Sequence, residues 1–190
     1  MAGLMKRLVL IGSLAVAGLM LFGNGMWLYA KAQLAQVLLE RAWARTLQGE
    51  QDVKPWRWAD TCPIARLQFP RQRRSYIVLA GASGRNLAFG PGHVDGTAAP
   101  EQIGNCVISA HRDTQFAVLR EVNIGDEIVL QTRGGTTIRY RVRDRRVVRD
   151  RDTSLLEASS HRVLTLITCY PFDAIRPGGH LRYVVVATAV

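Results

Sequence analysis

Polar and apolar positions divide the chain into three patterns. The first is an apolar run, Leu8 to Phe22, extended past a Gly23-Asn24-Gly25 break by Met26-Trp27-Leu28-Tyr29-Ala30. A bilayer core needs about 20 apolar residues, so residues 1–30 predict an N-terminal transmembrane helix acting as a signal anchor. The second is a helical period: Leu34, Val37, Leu38, Ala42 and Leu47 recur on one face with Glu40, Arg41 and Arg45 between them. Residues 31–54 therefore predict a helical stalk, closed by a polar linker from Gly49 to Lys54.

The third pattern begins at Ile64, where short β-branched and aromatic runs alternate with Gly, Pro and Asn. Strands are expected at Arg66–Phe69, Tyr76–Ala80, Asn105–Ala110, Glu127–Thr132, Thr136–Arg143, Arg145–Arg149, Val163–Thr168 and Leu181–Ala187. Runs of this length and spacing predict a mainly β domain over 55–190, built as a sandwich or a barrel. Ala82 to Gly92 is glycine-rich and reads as turns or short 3₁₀ helix. Phe116, Leu119 and Val122 have the spacing of a short helix over Thr114–Glu121, and Asp152–Ser160 reads as a polar loop with a helical turn.

Candidate chemistry sits at the ends of these runs. Val163 to Phe172 and Leu181 to Val186 bracket Cys169 and a Pro/Gly-containing loop, and Arg182 opens the second run. Another run, Cys106 to Ala110, ends in His111-Arg112-Asp113-Thr114. A thiol, an imidazole and a guanidinium at strand ends form a nucleophile, a proton partner and a charge stabiliser. At ordinary pKa values and pH 7 about 3% of the thiol and about a quarter of the imidazole would be charged, so both occur together in about 1% of molecules if uncoupled. Arg176, in the loop, is the rival for the role of Arg182. Asp113 either orients His111 or Arg112 or caps a turn. Thr168 and Tyr170 flank the thiol and, with Asp113 and His180, are candidate substrate-binding residues. His93, His161 and His180 lack ligand spacing, so neither a metal nor a cofactor is expected.

Ser109-Ala110-His111-Arg112-Asp113-Thr114, together with Thr165-Leu166-Ile167-Thr168-Cys169-Tyr170-Pro171-Phe172 and Arg182-Tyr183-Val184-Val185, resembles the sortase family, in its proteobacterial type. Trp56 to Leu67 is similar to the segment that leads into that domain, so the likeness spans roughly residues 55–187. The resemblance implies a closed β-barrel of about eight strands with short helices. It also implies a cysteine transpeptidase in which Cys169 forms a thioester, His111 serves as general acid and then base, and Arg182 holds the oxyanion or the peptide. The implied partners are a surface protein with a C-terminal LPxTG-like sorting signal and an amine acceptor. The chain departs from the family pattern at Cys62, where a large aromatic is more usual, and at His180. A thiol hydrolase ending with water and a non-catalytic membrane-anchored binding domain are the alternatives. The Ser-His-Gly-Cys signature of another periplasmic thiol class, the L,D-transpeptidases, is absent from the sequence.

Charge changes this picture little. The net charge is +10, from 25 Lys and Arg against 15 Asp and Glu. The densest basic run, Arg139 to Arg151, alternates with Ile138, Tyr140 and Val142 as a strand with one wet face does, so no nucleic-acid partner is expected. Lys6 and Arg7 precede the apolar run and Trp27 and Tyr29 fall near its far end, which orients the N-terminus to the cytoplasm. A single-pass protein of the inner membrane is expected, with its catalytic domain on the periplasmic side. Ala30-Lys31-Ala32 has the form of a signal-peptide cleavage site and leaves a cleaved leader as the alternative. Of the three cysteines, Cys62 and Cys106 are either bridged or two free thiols.

Overall fold

A computed structural model of the chain describes residues 2–174, 176 and 178–190. Helix α1 spans Ala2–Leu47 and continues through Gly23-Asn24-Gly25, where the apolar run is interrupted. Glycine costs a helix only about 1 kcal/mol relative to alanine, which the surrounding apolar helix formers outweigh. Its apolar stretch is long enough to cross a membrane by length and composition. The side chains of Lys6 and Arg7, on which the expected orientation rests, lie outside those described. The chain divides into two compact units, Met1–Val37 and Leu38–Val190.

The second unit is a closed barrel of eight strands. These are β1 (Pro63–Phe69), β2 (Arg74–Leu79), β3 (Gly92–His93), β4 (Asn105–Ser109), β5 (Glu127–Thr132), β6 (Thr137–Arg149), β7 (Val163–Tyr170) and β8 (Leu181–Ala189), joined in the order β1-β2-β3-β4-β7-β8-β6-β5 and back to β1. Pairings are antiparallel except β2 with β3 and β4 with β7.

The strand count matches the expected number, but its membership differs. Thr136–Arg143 and Arg145–Arg149 are one strand, β6, whose pairing with β8 shifts register between Val142 and Asp144. The bulge at that shift turns the alternation over, which in sequence reads as two strands. The eighth member, β3, lies where turns were expected. It is glycine at Gly92 because a Cβ there would meet the Gly81 carbonyl oxygen at 2.5 Å and the Ala82 Cα at 2.8 Å. A strand of two residues with one side chain shows no period to read. Short helical turns occupy Gly84–Leu87, Gln115–Arg120 and Thr153–Leu156, the last capped by the Asp152 carboxylate accepting from the Ser154 N–H.

Alternate residues fill the barrel: Leu67 and Phe69 of β1, Cys106 and Ile108 of β4, Ile128 and Leu130 of β5, Tyr140 and Val142 of β6, Leu164 and Leu166 of β7, and Val185 and Ala187 of β8. Against the outer side of β2, the last turns of α1 bring Leu39 and Trp43 onto Ile77 and Leu79, with Trp56 and Phe89 packed alongside. Glu40 forms an ion pair with Arg66 of β1 at the same seam. The helical period expected for a stalk is therefore, from Leu38 onward, part of the barrel's own packing. Trp43 is 1% exposed and Trp58 80%. Trp43→Ala should destabilise the protein by about 3–5 kcal/mol in urea unfolding of the full chain in detergent. Trp58→Ala should change it by less than about 0.5 kcal/mol. Equal effects would show that the helix end does not anchor on β2.

Candidate active site at the end of β4, β7 and β8

β7 lies between β4 and β8, and its two registers set the site. Ser109 of β4 is level with Ile167 of β7, and Cys169 is directly opposite Arg182 of β8. His111 follows two residues after Ser109, just past the end of β4. The Ala110 N–H donates to the Ile167 carbonyl at 3.2 Å, which carries the ladder past the end of β4. Thr168 donates its hydroxyl to the Ala110 carbonyl at 2.7 Å. On the other side, the His111 carbonyl accepts the Phe116 N–H at 3.0 Å, and Phe116 is fully buried. The backbone that carries the imidazole is thus held from both directions.

Alternation decides which way the side chains point. Cys106, Ile108 and Ala110, then Leu164 and Leu166, then Tyr183, Val185 and Ala187 pack in or against the core. Their neighbours Ser109 and His111, Ile167 and Cys169, and Arg182 and Val184 belong to the outer face. Further down, that face is covered by the turn at Thr153–Leu156: Asn105 donates its side-chain amide to the Leu155 carbonyl at 2.9 Å and accepts the Thr165 hydroxyl at 2.7 Å. Thr165 is buried, whereas Ile167 and Cys169 are half-buried and His111 is exposed. Cys169 and Arg182 are therefore cross-strand neighbours on β7 and β8, and His111 lies just past the end of β4, the strand on the other side of β7.

Arg182 is held close to the strand. One guanidinium nitrogen donates to the Gly179 and Leu181 carbonyls at 2.6 and 2.9 Å, and another lies 3.8 Å from the Asp150 carboxylate. Arg176 is exposed, and its backbone carbonyl accepts from Arg112. Asp150 was not among the residues picked out by sequence. It ends β6 in a basic run, and only the β6–β8 pairing brings it beside Arg182. His180 is exposed, and its Nδ1 lies 3.1 Å from the same carboxylate.

The other candidate substrate contacts are placed differently. Thr168 is 1% exposed, so its hydroxyl positions the strand ends and offers no surface to a ligand. Tyr170 is half-buried, stacked on Tyr183 with centroids 6.2 Å apart and edge-on to Phe172 at 6.1 Å. Asp113 is exposed and, among the described residues, has no hydrogen bond to His111 or Arg112.

Cys62 and Cys106 are free thiols. Burial pushes the Cys106 thiol up to about 12. Burial, and then the charge of Asp52, raises that of Cys62, which lines a separate cavity of about 360 Å³ with Thr46 and Arg133. Both are poor nucleophiles at neutral pH. Among the described residues no group of three or more His, Cys, Asp or Glu is placed to hold a metal ion.

His180, by its hydrogen bond, holds the Asp150 carboxyl below its ordinary range; desolvation opposes this, and the charges of His180, Arg182 and Arg151 add to it. A depressed folded-state value means that the contact stabilises the folded protein above the ordinary carboxylate pKa of about 4, and that this is lost as pH falls through the lowered value. In an NMR titration, His180→Ala should move the Asp150 carboxyl upward toward the ordinary value. An unmoved Asp150 would remove His180 as the cause.

Comparison with known proteins places this arrangement in context. A protein-family model described as "Sortase domain" matches residues 67–190. Sortase D of Bacillus subtilis (strain 168) is 30% identical over 110 residues, 57% of this chain and 55% of that protein, so the chain spans little more than half of this relative's length. Among solved structures, Sortase A from Corynebacterium diphtheriae superposes with a TM-score of 0.63 at 30% identity, covering 76% of this chain and 67% of that one. A Clostridium perfringens Sortase D5 transpeptidase superposes with a TM-score of 0.61 at 25% identity, covering 68% and 79%.

Proposed function

The chain belongs to the sortase family, and we propose that it is a membrane-anchored cysteine transpeptidase in which Cys169, His111 and Arg182 carry the reaction. The observation that supports this reading is the register that sets Cys169 directly opposite Arg182, with His111 two residues past the end of β4, the strand paired to the other side of β7. The Cys169 thiolate attacks the carbonyl carbon of a peptide bond in an LPxTG-like sorting signal near the C-terminus of a surface protein. The carbonyl π electrons move to oxygen, and the Arg182 guanidinium faces the charge that develops there. As the C–N bond breaks, the His111 imidazolium gives its proton to the departing amine and leaves a thioester on Cys169. An acceptor amine then attacks the thioester, His111 takes the amine proton, and the thiolate is released with a new amide formed.

The same reading places the protein in the inner membrane through residues 1–30, with the barrel on the periplasmic side. It rests on an apolar helix long enough to cross and on the Lys6-Arg7 charge before it. Protein sequencing of the membrane fraction should find an N-terminus at or next to Met1. One at Gln33 would show a cleaved leader.

The reaction is tested by incubating the full chain in detergent with a library of sorting-signal peptides and reading intact mass. An acyl adduct confined to Cys169, passing to an amide when a primary amine is added, is the expected result. Passage only to the acid would make the protein a hydrolase, and an inert Cys169 would make it a binding module. Cys169→Ala and His111→Ala should each abolish turnover without unfolding the barrel. Arg182→Lys should fail nearly as badly as Arg182→Ala, because an ammonium cannot reproduce the planar fork. Each should lose about 10²- to 10³-fold in kcat, roughly 3–4 kcal/mol, and Arg176→Ala far less. A large kcat loss in Arg176→Ala with Arg182→Ala nearly unaffected would overturn the assignment of Arg182.

A further inference from the structure

Among the described residues, the connection between Cys169 and Arg182 has few hydrogen bonds within itself. Residues 171–180 leave β7 two positions after the thiol and enter β8 two positions before the guanidinium, so both ends of this loop adjoin the candidate catalytic residues. Within it the Ala174 N–H reaches the Pro171 carbonyl at a long 3.4 Å. Irregular backbone that is not held in place must be ordered when a peptide docks, at a cost in conformational entropy.

Two arginines from outside the loop supply what it lacks. Arg112, next in sequence to His111, donates from one guanidinium nitrogen to the Pro171 carbonyl at 2.9 Å and from another to the Ala174 carbonyl at 2.7 Å, with the Arg176 carbonyl at 3.3 Å. Arg120, at the end of the turn Gln115–Arg120, donates to the Phe172 carbonyl at 2.7 Å and lies over the Phe172 ring at 4.9 Å. Phe172 in turn packs edge-on against Tyr183 with centroids 5.2 Å apart, and Tyr183 follows Arg182. Three successive parts of the loop are thus gripped by cations rooted in the segment that starts at the candidate acid. Carbonyls of this kind have no strand partner, and a planar fork can satisfy two of them at once where an ammonium meets one.

We propose that Arg112, seconded by Arg120, is a positioning residue that clamps the loop 171–180 in the shape that receives the peptide, and so sets substrate affinity rather than the chemical step. This deepens the transpeptidase reading and rests on it for the identity of the ligand. Arg182 meets this loop only through the Gly179 carbonyl, and its contacts with the Leu181 carbonyl and Asp150 belong to β8 and to the residue after β6. The clamp should therefore act on KM and leave kcat largely alone.

The test uses the full chain in detergent with two readouts. In hydrogen–deuterium exchange, Arg112→Ala and Arg112→Lys should each speed exchange over residues 172–179 by about tenfold or more, with β7 and β8 unchanged. With a fluorogenic Leu-Pro-x-Thr-Gly peptide, both variants should raise KM by about tenfold while kcat stays within about threefold, and lysine should not rescue. Arg120→Gln, at an exposed position, should speed exchange around Phe172 and raise KM in the same direction. It carries the test if Arg112→Ala fails to fold. Unchanged exchange in the loop, full rescue by lysine, or a kcat loss at constant KM would each overturn the proposal. If the wild-type protein does not turn the peptide over, the substrate reading fails, and the exchange measurement still decides the clamp.

Discussion

The pairing of β7 with β4 on one side and β8 on the other is the constraint from which the rest of the site follows. Side chains alternate strictly along a strand, so a slip of one residue in either pairing would turn a whole set of side chains to the other face. With the observed registers, Leu164 and Leu166 are buried beside Cys106 and Ile108 on one side and Val185 and Ala187 on the other. The same registers set Cys169 opposite Arg182 and end β4 two residues before His111. Burial of apolar area, at about 25 cal/mol per Å², thus holds a polar cleft in register without any cleft residue contributing to the core.

Small polar contacts finish what the registers begin. Thr168 points inward between these apolar residues, and its hydroxyl reaches the Ala110 carbonyl where β4 has run out of ladder partners. Asn105 performs a similar service lower down, tying β4 to the turn after Asp152 and to Thr165 of β7. Both are buried polar groups with partners, which is the condition under which such groups stabilise rather than cost. They also explain why the cleft is open only at its upper end: the turn around Leu155 roofs the outer face below Ile167, and no described element does so above it.

Arginine carries much of the structure around the site, although in sequence the basic residues look like a solvated excess. Arg139 pairs with Glu127, Arg146 with Asp144 and Arg71 with Asp126, which are surface contacts worth little individually. Arg112, Arg120, Arg145 and Arg162 instead donate to backbone carbonyls of loops and turns that no strand satisfies. The net positive charge is therefore partly the charge of groups that brace irregular backbone, which needs donors and not counter-ions.

Sequence by itself determined the kinds of element and the chemical groups. An apolar run of membrane-spanning length favours a long helix, β-branched alternation favours a strand, and the ordered pairing of His111 with Cys169 and Arg182 carried the family resemblance. These are local or motif-level signals. What only the tertiary structure decided are relations between residues far apart in the chain. The two halves of β6 are one strand because β8 pairs with both. Gly92 is a strand residue because Gly81 and Ala82 approach too closely for a side chain. Trp43 belongs to the barrel because Ile77 and Leu79 expose an apolar face that the end of α1 covers. Asp150 stands beside Arg182, and Arg112 grips the loop after Cys169, across separations that no spacing rule spans. Such contacts depend on closure of the barrel, which fixes distances between all strands at once, and a one-dimensional pattern holds no record of that closure.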